Sequence, residues 1–267
     1  MKPADMPSGI ELKQCCATLY ESEAARLLLG DCFHPGGLKL TERLGHLLQL
    51  GPQSRVLDVA CGTGTSAFFL AERFGCEIVG VDYGTQHIGR AKGEALARGL
   101  AGRVRFEQAD AERLPFEAAS FDAVVCECAF CTFPDKSRAA REFARVLRSR
   151  AWVGISDLTR SRDLPRELEG LLAWIACIAD AQPLESYVEW FRSAGFIPEA
   201  RESHDEALIE MVRQVQTKLL GVEVMKGLKK IDLPGIDFTA AKQMAQAALA
   251  AIQQRQLGYA LLTAQKT

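Results

Sequence analysis

Short apolar segments alternate with amphipathic segments from residue 55 to residue 156, and this alternation limits the possible folds more than any other feature. The sequence predicts strands at 56–59, 77–81, 104–106, 121–126 and 153–156, and helices at 65–74, 85–98 and 136–148. Strands that recur with a helix between them form parallel sheets covered on both faces, because each crossover helix packs back onto the sheet. We therefore predict an α/β fold with a doubly wound, mostly parallel, Rossmann-like sheet.

The flanking segments add helices and complete the sheet. Apolar residues at helical spacing predict helices at 10–29, 38–49, 164–180 and 184–194. Further strands near 197–203 and 257–263 bring the number of predicted strands to seven. Helix-rich segments at 205–227 and 239–255 lie between these two strands. We expect an N-terminal helical cap or lid at 1–50, a core at 51–204, a helical insertion at 205–256 and the final strand at 257–267.

Composition argues against several classes of function. The 267-residue chain carries a formal net charge of -2 and no basic block, which argues against nucleic acid as a partner. No apolar run is long enough to span a bilayer and the N-terminus lacks an apolar signal core, so we expect no membrane partner and a cytoplasmic location. The nine cysteines are odd in number and unevenly spaced, which predicts free thiols. The expected partner is a small-molecule substrate, and the chain is expected to be a monomer or homodimer.

A glycine loop follows the first strand and reads Asp58-Val-Ala-Cys-Gly-Thr-Gly64. On its own, such a loop is as typical of a tight structural turn between a strand and a helix as it is of a ligand-binding loop. Asp82 ends the next strand, at a spacing suited to a ribose diol, and Asp110 follows the third strand, where a carboxylate can accept from an adenine amino group. Ala67 stands where a dinucleotide fingerprint has its third glycine, so the loop is less suited to phosphates.

These motifs resemble those of class I S-adenosylmethionine methyltransferases. The resemblance covers residues 50–200 in order and is carried by Val56 to Gly64, Asp82, Ala109-Asp110-Ala111, Leu114-Pro-Phe116, Phe121-Asp122 and Phe143-Ala-Arg-Val-Leu147. It implies S-adenosylmethionine as the cofactor and a reversed seventh strand at the end of the chain. The predicted cofactor-binding residues are Asp58, Ala60, Cys61, Gly62, Gly64, Asp82, Tyr83, Asp110, Ala111 and Cys126. Ser149-Arg-Ala-Trp152 replaces the family's Pro-Gly-Gly, so we expect altered loop geometry before strand five.

A second resemblance concerns the cysteines beyond strand four. Val124-Val-Cys-Glu-Cys128 with Phe133-Pro-Asp-Lys136, and Trp174-Ile-Ala-Cys177 onwards, are similar to segments of arsenite methyltransferases. This resemblance implies Cys128 and Cys177 as arsenic(III) ligands, and it leaves a thiol reductant open as a further partner. Glu127 replaces the family's Asn, and the family's cysteine after the glycine loop is absent. Cys15, Cys16 and Cys32 remain open as a third thiol, and Cys126 and Cys128 would share a side if the strand extends that far.

Three functions follow from these patterns. The first is methylation of arsenite or a trivalent organoarsenical held by thiolates, which needs no general base because arsenic attacks with its own lone pair. The second is methylation of an organic small molecule such as a quinone, sterol-like or amine acceptor, with Glu127 or Tyr20 as the base. The third is a non-catalytic S-adenosylmethionine-binding protein. The four histidines show no metal or triad spacing and are interpreted as surface or structural residues. The first helix and Phe33-His-Pro-Gly-Gly37 are the candidate lid.

Overall fold

Seven strands form one sheet in the computed structural model, which describes residues 9–21, 34–161, 164–168, 178, 180–227 and 238–267. The strands are β1 Arg55–Val59, β2 Glu77–Asp82, β3 Val104–Gln108, β4 Phe121–Glu127, β5 Leu147–Arg160, β6 Phe196–Ser203 and β7 Leu257–Lys266. Their order is β3-β2-β1-β4-β5-β7-β6. The first five strands pair in parallel, and β7 runs antiparallel to both β5 and β6. The predicted seven-stranded, mostly parallel sheet with a reversed last strand is confirmed.

Helices cover the sheet, and further helices lie toward both ends of the chain. They are α1 Gly9–Tyr20, α2 Gly37–Leu47, α3 Thr65–Phe74, α4 Thr85–Ala97, α5 Lys136–Val146, α6 Leu184–Ser193, α7 Asp205–Gly227 and α8 Phe238–Gln253. The pair α7 and α8 forms the predicted helical insertion before the last strand. None of the helices in the described part of the chain is long and apolar enough to cross a membrane.

The central strands are buried because helices cover both faces. Four of the five residues of β1 are buried, and β4 is buried from Ala123 to Cys126. Such strands are apolar along their whole length instead of alternating. On one face α2 lies very close to β5, since a Cβ atom on Gly154 would be 2.6 Å from Leu44 Cδ1. The sheet is therefore a rigid base for the loops at its carboxyl edge.

Those loops border a cleft at the point where the order of the strands in the sheet reverses its direction. From β1 the chain proceeds outward to β2 and β3, then returns to β4 on the other side of β1. Connections that diverge in this way leave a crevice between the carboxyl ends of the two central strands, which is where doubly wound folds bind ligands. The ends of β1 and β4 carry the predicted glycine loop and the predicted cysteines.

One expectation takes an unexpected form and another falls outside the described residues. The altered geometry expected before strand five lies within β5, which begins at Leu147: its pairing with β4 jumps from Phe121–Leu147 to Ala123–Trp152, and Arg150 takes a left-handed φ of 61°. The predicted helix at 164–180 lies largely outside the described residues, of which Arg166–Leu168 form a 3₁₀ turn. The predicted helix at 10–29 is confirmed as far as Tyr20, and residues 22–33 lie outside the described part.

Candidate active site

The loop after β1 turns on residues with left-handed backbone. Ala60 and Gly62 have φ of 59° and 54°, and the N–H of Cys61 donates to the Val81 carbonyl at 3.0 Å, which ties the loop to β2. Ala60, Cys61 and Gly62 line the cleft. The structure thus brings these three predicted residues to the place where a cofactor would contact them.

Gly64 has a structural role in addition to the predicted contact with the cofactor, which stays a prediction. It does not line the cleft, and its φ is 86°. A Cβ atom there would lie 2.6 Å from Cζ of Phe106, far inside van der Waals contact. Gly64 is therefore required by the backbone turn and by the Phe106 ring, and the prediction that it contacts the cofactor finds no support in this geometry.

The two predicted acids stand at neighbouring points of the cleft. Oδ2 of Asp82 accepts from the Gly62 N–H at 2.9 Å, and its Oδ1 accepts from the Gly84 N–H at 2.7 Å. Asp110 lies beyond β3, and both acids line the cleft together with Tyr83 and Ala111. Backbone donors thus fix the orientation of the Asp82 carboxylate, which suits it to gripping a diol.

Asp58 has a buried oxygen with no donor. The residue is 2% exposed, and its Oδ2 atom has no hydrogen-bond partner among the described residues. Burial raises the pKa of the Asp58 carboxyl well above its usual range, and the charge of Glu127 raises it further, against a smaller opposing effect of His34. A buried polar atom without a partner is costly, and a nearby cation would supply a donor and offset the charge. S-adenosylmethionine carries an ammonium and a sulfonium group, so this carboxylate fits the cofactor.

A polar cluster lies around Glu127 at the end of β4. Ser66 Oγ donates to Glu127 Oε2 at 2.7 Å, and Thr41 Oγ1 donates to the two carboxylate oxygens at 3.2 and 3.0 Å. His34 Nε2 lies 3.4 Å from Glu127 Oε2 and 3.3 Å from both hydroxyl oxygens. The side chains of His34 and Glu127 are only 6% and 4% exposed, and both residues line the cleft. A histidine paired with a buried carboxylate is an arrangement that can accept a proton from a bound ligand.

The sequence interpretation missed the positions of two histidines in the cleft. His34 and His87 both line the cleft, whereas the sequence assigned every histidine a surface or structural role. His34 lies in the segment named as a candidate lid, next to a Pro-Gly-Gly turn, and His87 lies in the first turn of the helix that follows Asp82. Their positions directly beside predicted cofactor elements were the available signal, because neither shows a motif spacing of its own.

The cysteines of strand four do not share a side. β4 ends at Glu127, and Cys128 takes a left-handed φ of 53°, so the strand alternation stops there. Cys128 lines the cleft, whereas Cys126 is fully buried and does not. Burial raises the pKa of the Cys126 thiol well above its usual range. The prediction that Cys126 contacts the cofactor therefore finds no support, because the side chain lies within the core.

The thiols of the cleft come from three separate elements. Cys16 on α1, Cys61 in the glycine loop and Cys128 after β4 all line it, while Cys15 does not. Cys177 and Cys32 lie outside the described residues. Within the described ranges there is no group of three or more His, Cys, Asp or Glu side chains that could hold a metal ion. Tyr20, predicted as a possible base, also lines the cleft from the end of α1.

Asp82→Asn is expected to weaken binding of S-adenosylhomocysteine about 10- to 100-fold, because hydrogen bonds to a charged group contribute about 1.5–3 kcal/mol. Isothermal titration calorimetry measures the Kd directly. Asp122→Asn is the matched control, since Asp122 is the second residue of β4, at the opposite edge of the sheet, where it accepts from the Arg55 N–H at 2.8 Å. An unchanged Kd in a folded Asp82→Asn variant would contradict the assignment of Asp82 to the cofactor.

Comparison with known proteins finds relatives along most of the chain. Residues 56–150 match a family model described as a methyltransferase domain. The 27-O-demethylrifamycin SV methyltransferase of Amycolatopsis mediterranei (strain S699) is 30% identical over 238 residues, which is 85% of this chain and 83% of that protein.

Solved structures share the fold. The [4+2]-cyclase SpnF has a TM-score of 0.76 at 24% identity, covering 95% of this chain and 96% of that one. Phosphoethanolamine N-methyltransferase 2 of Haemonchus contortus, in complex with phosphomonomethylethanolamine and S-adenosylhomocysteine, has a TM-score of 0.80 at 18% identity, covering 96% of this chain and 60% of that one. At these identities the structures show a common fold, which proteins with different reactions can share.

Proposed function

We propose that this chain, which belongs to the class I S-adenosylmethionine-dependent methyltransferases, methylates a hydroxyl oxygen of an uncharged organic small molecule. The chain is a methyltransferase with S-adenosylmethionine as its cofactor. The observation that carries the choice of acceptor is the His34–Glu127 pair, which is buried beside the glycine loop and lines the cleft together with Ser66.

Methylation of a hydroxyl needs a proton acceptor. When bound, S-adenosylmethionine supplies an electrophilic methyl group on a sulfonium. The acceptor hydroxyl loses its proton as its oxygen bonds to that methyl, and Ser66 Oγ, 2.7 Å from Glu127 and 3.3 Å from His34, can pass the proton to the pair. Thr41 holds Glu127 in place through two hydrogen bonds. The pair then keeps the proton away from the newly formed ether.

The charges of the cleft favour an acceptor without phosphate or carboxylate groups. Three basic side chains line it in the described part of the chain, and each already lies beside an acid. Lys13 binds Asp110, His34 lies beside Glu127, and His87 lies 3.5 Å from Asp82. An anionic acceptor would therefore enter a site whose positive charges are already neutralised, at a large desolvation cost. The name of the rifamycin relative likewise specifies an O-demethylated acceptor.

A trivalent arsenical is a second candidate, favoured by the thiols of Cys16 and Cys128 in the lining and by the resemblance that implicates Cys128 with Cys177. Thiolates are soft ligands that suit such a centre. Against it, burial raises the pKa of the third lining thiol, Cys61, well above its usual range, which keeps that sulfur protonated. The polar cluster around Glu127 also has no role in this reaction, because arsenic attacks with its own lone pair and needs no base.

One assay separates these functions. The purified chain is incubated with S-adenosylmethionine and, in parallel, with a set of neutral phenols and alcohols, with their phosphate esters, and with arsenite plus glutathione. Mass spectrometry then detects methylated products. We expect methyl ethers from the neutral compounds and none from the esters, with product lost in Glu127→Gln and retained in Cys128→Ser. Methylarsenicals that disappear in Cys128→Ser, without any methyl ether, would overturn the proposal in favour of the arsenic reaction.

A further inference from the structure

His87 contacts both the sheet and the helix that covers the cleft. Its side chain is buried, with Nε2 3.2 Å from the carbonyl oxygen of Tyr20, the last residue of α1. Its Nδ1 lies 3.5 Å from Oδ1 of Asp82, the acid at the end of β2. A single imidazole ring thus joins the end of α1 to the acid proposed to grip the cofactor.

Both contacts need a donor on the ring. The Tyr20 carbonyl only accepts hydrogen bonds, and the Asp82 carboxylate accepts them as well. A neutral imidazole has one N–H, and the charge of Asp82 beside Nδ1 favours that proton on Nδ1, so Nε2 no longer donates to the Tyr20 carbonyl. An imidazolium carries an N–H on both nitrogens and can serve both acceptors. Burial by itself lowers the pKa of His87, but the Asp82 carboxylate close to Nδ1, with the Tyr20 carbonyl and Glu21, outweighs it and raises the pKa above its usual range.

We propose that His87 is a positioning residue that couples the seating of α1 to Asp82, holding the helix over the cleft when it is protonated and loosening the helix end when it is not. This inference rests on the proposed function and on the assignment of Asp82 to its cofactor, which the Asp82→Asn variant tests. Because α1 places Cys16, Ala17 and Tyr20 in the cleft lining, loosening its end would change the shape of the cleft and open it.

Other contacts keep α1 attached to the sheet when His87 loses its proton, so only the end of the helix loosens. Lys13 Nζ donates to both oxygens of Asp110 and to Glu112, and these acids raise the pKa of Lys13 against the effect of burial. Glu21 Oε1 accepts from the Gln86 N–H at 2.7 Å, at the first turn of α4. Among the described residues, the charged groups that act on His87 include Asp82 from β2 and Glu21 from the end of α1. A rise in pH from about 6 to about 9 therefore weakens the His87 contact while the Lys13 ion pair persists.

Hydrogen–deuterium exchange of the ligand-free chain tests this coupling. Protection of residues 9–21, corrected for intrinsic exchange, is expected to fall about 3- to 10-fold between about pH 6 and about pH 9, which corresponds to loss of one hydrogen bond. His87→Gln keeps an amide donor for the Tyr20 carbonyl but cannot titrate, so its protection should not change over this range. His46→Gln, at an exposed position of α2, is the matched control and should behave as the wild type does.

The midpoint of the protection change in the wild-type chain should coincide with the pKa of His87 measured by NMR of its ring protons. This measurement needs no variant and so stands even if His87→Gln does not fold. Protection that is independent of pH in the wild type, or a pH dependence that persists in folded His87→Gln, would overturn the proposal. The exchange experiment uses neither cofactor nor acceptor. If no methylated product forms but the protection of α1 still depends on pH, the proposed function is contradicted and this coupling stands.

Discussion

Glu127→Gln is expected to lower kcat with a hydroxyl acceptor by about 10²- to 10⁴-fold, the range over which general bases contribute to catalysis. Glutamine has the same shape and can still accept from Thr41 and Ser66, which donate to Glu127 in the wild type. It cannot take up a proton or stabilise a positive charge on His34, whose Nε2 lies 3.4 Å from the carboxylate. Steady-state kinetics at saturating S-adenosylmethionine measures the loss.

The control variants separate a role in proton transfer from one in cofactor binding. Glu94→Gln carries the same substitution at an exposed position of α4 paired with Arg98, and it should retain wild-type kcat. His34→Gln should lose activity to a similar degree, and the double variant should be little worse than either single one, because the two residues act as a unit. A Glu127→Gln variant that binds S-adenosylhomocysteine more weakly but reaches normal kcat at saturation would rule out the base and assign Glu127 to the cofactor.

The sheet could be predicted from the sequence because its strands are short, apolar and separated by amphipathic helices. Burial on both faces makes strands such as β1 and β4 continuous apolar runs, and that pattern is visible without a structure. The extension of β5 back to Leu147 could not be predicted in the same way. After the buried Leu147, residues Arg148, Ser149 and Arg150 are polar and exposed, so they lack the apolar signature of a strand.

The acids of the site could be predicted, including Glu127 as a candidate base, but its partner His34 could not, for a geometric reason. Asp82 and Asp110 follow consecutive strands, so the parallel topology alone brings them to one edge. His34 reaches Glu127 from a segment outside the strand–helix alternation, and no periodicity relates the two residues. The orientation of Cys128 depends on a left-handed φ of 53° at a residue other than glycine, which side-chain alternation does not anticipate.

Gly64→Ala is expected to destabilise the chain by about 2–5 kcal/mol. Alanine in the left-handed region costs about 1–2 kcal/mol, and overpacking of a core costs about 1–3 kcal/mol more. Gly64 has a φ of 86°, and a Cβ atom there would lie 2.6 Å from Cζ of Phe106. The ring cannot easily move away, because it also lies against Gly80, where a Cβ atom would be 2.5 Å from Phe106 Cδ1, and it packs edge-on against Phe68.

Gly93→Ala makes the same chemical change where neither constraint applies. Gly93 is an exposed residue within α4, and a Cβ atom there would meet nothing within 4 Å. Alanine should stabilise this helix by about 0.5–1 kcal/mol, because the unfolded chain loses conformational freedom. Urea unfolding at an unchanged m-value measures both variants, and their midpoints should move in opposite directions. A Gly64→Ala variant as stable as the wild type would show that the loop can accommodate a side chain, and it would make close approach to the cofactor the better reason for glycine at this position.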